Sequence, residues 1–209
     1  MTPSPVRVGA CAGVILLVGL AGPALGGDPR THDGFFLRLS AGGGYGETEI
    51  DASGVPFLPG DNLKLSGATG DINLAIGGAL KENFLLHGTI WGWAVSGPDV
   101  ESGGVTETVD ANLTMSGVGI GFTWYVMPVN VYFSPSVGLA NLSVERDNVT
   151  VSTDAGFGLD LTVGKEWWVS DGWGLGLAGG FSWHAVGDGT VDEVWSGPGL
   201  GLRFSATMN

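Results

Sequence analysis

The stretch Gly164–Trp183, GKEWWVSDGWGLGLAGGFSW, decides the fold class of this chain. Beyond its polar centre, large apolar residues occupy every second position from Trp173 to Trp183, except at Gly179. The positions between them hold only glycine, alanine and serine. Alternation with a period of two is typical of a β-strand that has one apolar face. The stretch therefore predicts two antiparallel strands joined by a tight turn, with tryptophan near both ends of the second strand.

The N-terminal segment differs from the rest of the chain. Arg7 is its only charged residue, and an apolar run extends from Val8 to Gly22. The small residues of Ala24-Leu25-Gly26 suit a cleavage site for a secreted protein. A retained membrane helix is the alternative, but the run is short for a span of about 20 residues and Pro23 follows it. The predicted division is a signal peptide, a short leader and one β-domain: residues 1–26, 27–33 and 34–209.

Composition excludes several classes of protein. The 209 residues include 39 glycines and eight tryptophans, and only 14% are charged. Eight tryptophans argue against a disordered chain. The net charge of −13 disfavours nucleic-acid binding, because phosphates are bound by lysine and arginine. The single cysteine, Cys11, lies in the predicted signal peptide, so we expect no disulfide in the mature chain.

Period-two alternation continues from Asp33 to the C-terminus and predicts eight strands. The expected strands are residues 34–46, 66–80, 84–96, 111–126, 130–144, 154–169, 173–184 and 195–207. Their connections alternate between tight turns and longer polar loops. This order is typical of an up-and-down meander, and closing the meander removes its unpaired edges. We therefore predict an all-β fold, a closed eight-stranded antiparallel barrel.

The aromatic residues decide between a soluble barrel and a transmembrane barrel. A soluble barrel buries its apolar face, whereas a membrane barrel turns that face outward between two belts of aromatic residues. The large rings of this chain are concentrated towards the strand ends, where an indole can keep its N–H among lipid headgroups. We therefore predict a transmembrane barrel. The predicted interface residues are Trp124, Tyr125, Tyr132, Trp167, Trp168, Trp173, Trp183 and Trp195.

Four stretches resemble the small eight-stranded outer-membrane barrels of the OmpA/OmpX-like superfamily. They are DGFFLRLSAGGGYG, INLAIGGAL, VGKEWWVSDGWGLGLAGGFSW and the ending GLGLRFSATMN. The resemblance implies the outer membrane of a Gram-negative bacterium, with the short turns in the periplasm and the long loops outside. Such families usually end on an aromatic residue, whereas this chain ends at Asn209, with Phe204 as the nearest ring. From the same resemblance we expect contacts with outer-membrane lipid and lipopolysaccharide, and a monomer.

The inward parity of the strands selects a small set of polar residues. The predicted periplasmic-side interior cluster is Arg38, Arg203, Glu166 and His87. Two arginines in a narrow lumen need hydrogen-bond acceptors. Glu166 is the expected acceptor because it is predicted at a similar depth in the barrel. Asp71 and Asp160 are expected closer to the external half. The cluster predicts either a structural plug or a gate on an ion path, with the plug favoured.

The long loops are strongly acidic. Their carboxylates belong to Glu47, Glu49, Asp51, Asp61, Asp99, Glu101, Glu107, Asp110, Glu145, Asp147, Asp154, Asp188, Asp192 and Glu193. Only Lys64 and Arg146 oppose them. Divalent cations at these loops are one hypothesis, and the DGTVDE run at 188–193 resembles half of a calcium loop. A solvated surface that resists aggregation is the favoured interpretation.

Enzymatic chemistry finds little support in the sequence. Ser182 and His184 share a strand face, and Asp188 or Asp160 would be the orienting acid of a hydrolase. No oxyanion hole and no spacing of transition-metal ligands accompanies them, and no cofactor is expected. We predict a non-enzymatic outer-membrane barrel with a structural or surface-interaction role that displays four acidic loops. The alternative is a narrow porin-like channel for ions or small solutes, unless Trp91, Trp93 and Tyr132 fill the lumen.

Overall fold

The computed structural model describes residues 31–51, 62–187 and 193–209. The predicted signal peptide, residues 1–26, lies outside the described residues. Within the described ranges the strands are β1 (Phe35–Ile50), β2 (Leu63–Lys81), β3 (Phe84–Ser96), β4 (Asp99–Ser102), β5 (Val105–Thr108), β6 (Asn112–Val126), β7 (Val131–Arg146), β8 (Val149–Ser152), β9 (Gly156–Ser170), β10 (Trp173–Gly187) and β11 (Val194–Met208). No helix in these ranges is long and apolar enough to cross a membrane.

Eight long strands form a closed antiparallel barrel. The order around the barrel is β1, β2, β3, β6, β7, β9, β10 and β11, and β11 pairs with β1 to close it. The seam has a continuous register from Leu37 opposite Met208 to Gly46 opposite Gly199. The predicted fold class is therefore confirmed, because all eight predicted strands are present and each pairs with its neighbour in the chain.

Three short strands were not predicted from the sequence. Strands β4 and β5 form a hairpin whose first strand also pairs with β2, and β8 pairs with the end of β7. These strands extend the sheet beyond the barrel on the side of the long loops. All four side chains of both β5 and β8 are exposed, so neither strand has the buried face that produces a period-two pattern.

The opposite end of the barrel carries the short connections. Turns of two to four residues join β2 to β3, β6 to β7 and β9 to β10. Asn83 and Asn130, which end two of these turns, have φ angles of 64° and 53°. Asparagine tolerates this left-handed conformation better than most residues, which explains its position at both turns.

The barrel has its apolar residues outside and its charged residues inside. Leu202 is 77% exposed and Ile120 is 67% exposed, whereas Arg203, next to Leu202, is 1% exposed. Such an arrangement would be unstable in water, because it exposes a continuous apolar surface and buries charge. It suits a bilayer, where lipid tails cover the outer face and the lumen holds the polar groups.

Candidate functional site

The lumen contains a charged network centred on Arg203. Its Nη2 atom donates to Asp160 Oδ2 at 2.8 Å and to Asp71 Oδ2 at 3.0 Å, and its Nε donates to Asp71 Oδ1. Its Nη1 atom donates to the Thr162 hydroxyl at 2.7 Å. All four side chains are buried. The guanidinium therefore joins three strands, β11, β2 and β9, by charge-assisted hydrogen bonds across the barrel.

The predicted pairing of Arg203 with Glu166 is wrong. In register, Glu166 lies opposite Gly176 and therefore on the rung of Ser205, two residues beyond Arg203 along β11. Gly42 of β1 lies directly between Arg203 and Asp71, being opposite both. The two side chains lie over other glycines, since a Cβ atom on Gly180 would fall 2.5 Å from Arg203 Cζ and one on Gly201 would fall 3.2 Å from Asp71 Oδ2. The predicted depth of each residue was counted from its own strand end, which does not give the register between strands.

Glu166 is instead the acceptor of a ring of hydroxyl groups. Thr207 donates to its Oε1 at 2.5 Å, and Ser205 donates to the same atom at 3.4 Å. The Tyr125 hydroxyl donates to Oε2 at 3.1 Å. The carboxylate is 1% exposed, so these hydrogen bonds replace the water that a buried charge would otherwise lack.

Arg38 and His87 both contact the Thr123 hydroxyl, but their predicted common depth with Arg203 is wrong, because Arg38 lies opposite Thr207, four residues from Arg203 along β11. Arg38 Nη2 donates to Ser134 at 2.7 Å, and its guanidinium lies 4.6 Å from the centre of the Tyr132 ring. His87 Nε2 lies 3.0 Å from the Thr123 hydroxyl. The predicted cluster is thus buried as a set, but it divides into separate centres around Arg203, Glu166 and Arg38.

The end of the lumen at the short turns, which the sequence resemblance places in the periplasm, is filled by His32, which sequence analysis assigned only to the leader. Its ring stacks on Tyr125 with centroids 3.4 Å apart and planes 13° from parallel. Its Nε2 lies 2.8 Å from Asn130 Oδ1, and its backbone N–H donates to Asn83 Oδ1 at 3.1 Å. Both asparagines belong to periplasmic turns, so one residue of the leader is tied to two of the three turns. No sequence pattern marks a lone histidine as such a plug.

Two predicted interface tyrosines point into the barrel, which corrects their assignment to the membrane belt. Tyr125 and Tyr132 are 1% and 0% exposed, and their ring centres are 5.3 Å apart. Successive strand residues face opposite sides, so the outward position of Trp124 requires Tyr125 to face inward. The prediction of the belt used position along the strand and neglected this alternation, whereas the alternative of Tyr132 as a lumen-filling residue agrees with the structure.

Two predicted interface tryptophans are also corrected. Trp168 lies 4.9 Å from His32 between ring centres, at the periplasmic plug. Trp195 packs against an apolar cluster inside the mouth at the long loops, the end that the sequence resemblance places outside the cell. By contrast, Trp124 and Trp167 are about half exposed on the outer surface, and Trp173 and Trp183 are partly exposed on it. These four remain the predicted membrane-interface residues.

Tryptophan fills the lumen near the end that carries the long loops. Trp91 and Trp93, both buried, form an apolar cluster with Met115, Leu113 and Leu142. Above this cluster is a cavity of about 130 Å³. Its described lining consists of Thr48, Leu65, Leu113, Leu142, Val144, Val151, Ser152, Thr153 and Trp195. The mouth is therefore an apolar vestibule that ends on a layer of tryptophan.

The acidic loops contain few contacts between charges. Lys64 Nζ lies 2.8 Å from Glu47 Oε2, and Arg146 Nε lies 3.7 Å from Asp147 Oδ2. Among the described residues, no group of three histidine, cysteine, aspartate or glutamate side chains could hold a metal ion. The acidic residues Asp61, Asp188 and Asp192, and most of the DGTVDE run, lie outside the described part of the chain.

The candidate hydrolase residues His184 and Asp160 form hydrogen bonds with other residues and not with each other. His184 Nε2 lies 2.9 Å from the Thr48 hydroxyl. Asp160, the candidate acid within the described residues, is bound by Arg203, Asn73 and Thr162. Asp188 lies outside the described residues. The structure thus does not bring Asp160 to His184 in the way that a catalytic triad requires.

Comparison with known proteins yields similarity of fold. No protein-family model and no curated protein matches the sequence. Neisserial surface protein A (NspA) is 14% identical with a TM-score of 0.47, over 83% of this chain and 96% of that chain. OprG of Pseudomonas aeruginosa is 10% identical with a TM-score of 0.47, over 88% and 100%. AlkL is 11% identical with a TM-score of 0.49, over 90% and 94%.

This chain is a closed eight-stranded antiparallel barrel with an apolar outer face, which is the fold that the resemblance noted in the sequence implies. At these identities the likeness concerns the fold alone, and function has to be argued from the lumen and the mouth of this barrel.

Proposed function

We propose that the chain is a non-enzymatic outer-membrane barrel of a Gram-negative bacterium that acts through its extracellular end and does not conduct through its lumen. The observation that carries this proposal is obstruction of the lumen at three successive levels. Trp91 and Trp93 form the outer level, the Arg203 network forms the middle level, and His32 with Tyr125 forms the periplasmic level.

Opening such a lumen is energetically costly. Separating Arg203 from its carboxylates leaves buried charges without partners, at a cost of about 3–5 kcal/mol. Displacing Trp91 requires a second site for an indole that is 1% exposed. A solute would have to overcome both costs, so a closed barrel is the favoured state.

A narrow channel is the second candidate, favoured by buried polar atoms without protein partners. Within the described residues these include Arg38 Nε, His87 Nδ1, Asn73 Oδ1 and Ser40 Oγ. Buried polar atoms of this kind usually bind water. All four belong to residues between the Trp91 layer and the His32 plug, so the same observation also fits trapped water without a continuous path.

Planar-bilayer conductance of the refolded chain, starting at residue 27, distinguishes the two candidates. The wild type is expected to be silent, and heat-shifted gel mobility shows that it is folded. Trp91→Ala with Trp93→Ala removes the outer level, and Trp124→Ala, which removes an outward-facing ring, is the matched control. Steady current steps in the folded wild type would contradict the closed barrel and support the channel.

A further inference from the structure

The outer wall of the barrel carries an open groove at the end of the short turns, on the side of strands β3 and β6. Its volume is about 650 Å³, within the range of about 300–1,000 Å³ that small-molecule sites span. The described lining consists of Lys81, Glu82, Asn83, Phe84, Phe122, Trp124, Tyr125, Val126 and Met127. The groove therefore runs from the turn between β2 and β3 onto the apolar face that we assign to the bilayer.

Aromatic rings form the part of the groove that lies on the wall. Phe84 and Phe122 stack with ring centres 5.3 Å apart, and Trp124 lies opposite Phe84 in register. Trp124 is 53% exposed and Phe122 is 36% exposed, so both rings present free surface. In a bilayer such surface contacts lipid, and an indole favours the depth of the headgroups. The occupant that this position selects is therefore a lipid, and its headgroup reaches the turn.

Two opposite charges border these rings at the turn. The Lys81 ammonium lies 5.7 Å from the centre of the Phe84 ring, which places it on the outer side of the wall. Glu82 is the next residue and also lines the groove. Both side chains are exposed, and the ion pairs found among the described residues include neither of them. Both charges are therefore available to a lipid headgroup.

The signs of these two charges distinguish between classes of headgroup. A cluster of several basic residues attracts anionic lipid, whereas one lysine beside one glutamate sums to zero charge. A zwitterionic headgroup offers a phosphate to Lys81 and an ammonium to Glu82. A primary ammonium also donates hydrogen bonds to a carboxylate, which a quaternary ammonium cannot do because it has no N–H group.

We propose that this groove binds one phospholipid with a primary ammonium headgroup, of the phosphatidylethanolamine class. The phosphate lies at Lys81, the ammonium lies at Glu82, and an acyl chain lies along the rings of Phe122 and Trp124. This site goes beyond the proposed function, because it lies at the opposite end of the barrel from the vestibule. A conducting wild type would overturn the proposed function and leave the lipid site standing.

Native mass spectrometry of the refolded chain tests the proposal. The protein in detergent micelles is mixed with equal amounts of phosphatidylethanolamine, phosphatidylglycerol and phosphatidylcholine that carry identical acyl chains. Phosphatidylethanolamine is expected to be retained about two- to fivefold more than either competitor, which is the range that an exposed ion pair supports. Equal retention of the three lipids by folded protein, or a preference for phosphatidylglycerol, would overturn the proposal.

Variants at the turn separate the two charges. Lys81→Gln removes the partner of the phosphate and is expected to lower the retention of phosphatidylethanolamine to that of phosphatidylcholine. Glu82→Gln leaves a single positive charge and is expected to shift the preference to phosphatidylglycerol. Lys165→Gln is the matched control, because the Lys165 ammonium also lies near an outward ring, that of Trp167, but outside this groove. A Glu82→Gln chain that still prefers phosphatidylethanolamine would contradict the assignment of the ammonium to Glu82.

Fluorescence quenching in vesicles determines where the lipid binds. Phosphatidylethanolamine with acyl chains brominated near the glycerol is diluted into phosphatidylcholine, and the difference between the wild type and Trp124→Phe isolates the emission of Trp124. This emission is expected to be quenched about two- to fivefold more by brominated phosphatidylethanolamine than by equally brominated phosphatidylcholine, and Lys81→Gln is expected to abolish the difference. Equal quenching of Trp124 by the two lipids would place any preferred lipid elsewhere on the barrel and overturn the site.

Discussion

The Trp91 indole lies so close to Gly117 that a Cβ atom on that glycine would fall 2.4 Å from Trp91 Cε2. A Cβ atom on Gly158 would fall 3.0 Å from Cζ2 of the same ring. Gly117 belongs to the adjacent strand β6 and Gly158 to β9. One large inward side chain thus occupies the space that glycines leave on two other strands, which is how a narrow eight-stranded barrel accommodates an indole.

Substitution of Gly117 by alanine is therefore expected to destabilise the barrel. The added methyl group overlaps the Trp91 ring, and overpacking of this kind costs about 1–3 kcal/mol. Urea unfolding in lipid vesicles measures the change. Gly179→Ala is the matched control, because nothing lies within 4 Å of a Cβ atom at that outward position. Equal stability of the two variants would contradict the close packing.

Loss of either aspartate bound by Arg203 is expected to destabilise the barrel strongly. Asp160→Asn leaves the buried guanidinium with one carboxylate, and breaking a buried pair typically costs about 3–5 kcal/mol. A double-mutant cycle with Asp71→Asn measures the coupling, which is expected to be non-additive because both aspartates share one partner. Asp171→Asn, at an exposed turn, is the control. Strictly additive losses would argue against a shared network.

Removal of the His32 ring is expected to expose the periplasmic end of the lumen. His32→Ala removes the stack on Tyr125 and the cover over Trp168, at a cost of about 0.5–1.5 kcal/mol beyond the loss of buried area. Fluorine NMR of fluorotryptophan-labelled protein should show that the Trp168 signal becomes sensitive to a soluble paramagnetic quencher. Asp33→Ala, in the same leader and exposed, is expected to leave that signal unchanged.

A charge placed on the outer face is expected to destabilise the barrel in a bilayer, whereas the same charge on a face in water would cost little. Leu202→Arg places a guanidinium on the lipid side of β11, where the cost reaches about 2–4 kcal/mol near the middle of the bilayer. Val105→Arg, on the exposed strand β5 beyond the barrel wall, is expected to have almost no effect. Refolding yield and urea unfolding in vesicles compare the two variants. Similar behaviour would contradict the outward, lipid-facing assignment of Leu202.

Alternation in the sequence was sufficient to predict the strands, because each strand of this barrel has two chemically distinct faces. Strand β3 occupies the predicted residues 84–96, and β10 begins at the predicted Trp173. The exposed hairpins lack such faces and were missed. Position along a strand was a poorer guide than parity. Position assigned Tyr125 and Tyr132 to the membrane belt, although parity had also placed Tyr132 among the residues that could fill the lumen.

The partners of the lumen charges depend on register, which a single strand does not encode. Asp71 and Arg203 are neighbours only because both lie opposite Gly42, and this relation appears once three strands are aligned. The available signal was glycine at inward positions beside the charges, such as Gly180, where a Cβ atom would meet the Arg203 guanidinium. The role of His32 had no comparable signal, since a leader residue has no strand partner from which its position can be read.

The Arg203 network also has a consequence for the assembly of the barrel. Its two carboxylates come from β2 and β9, and its cation comes from β11, which follows both in the chain. A sheet that is open at the seam between β1 and β11 would separate Arg203 from Asp71 of β2 and leave that buried aspartate without its cation. Pairing of β11 with β1 therefore seals the wall and neutralises Asp71 in a single event.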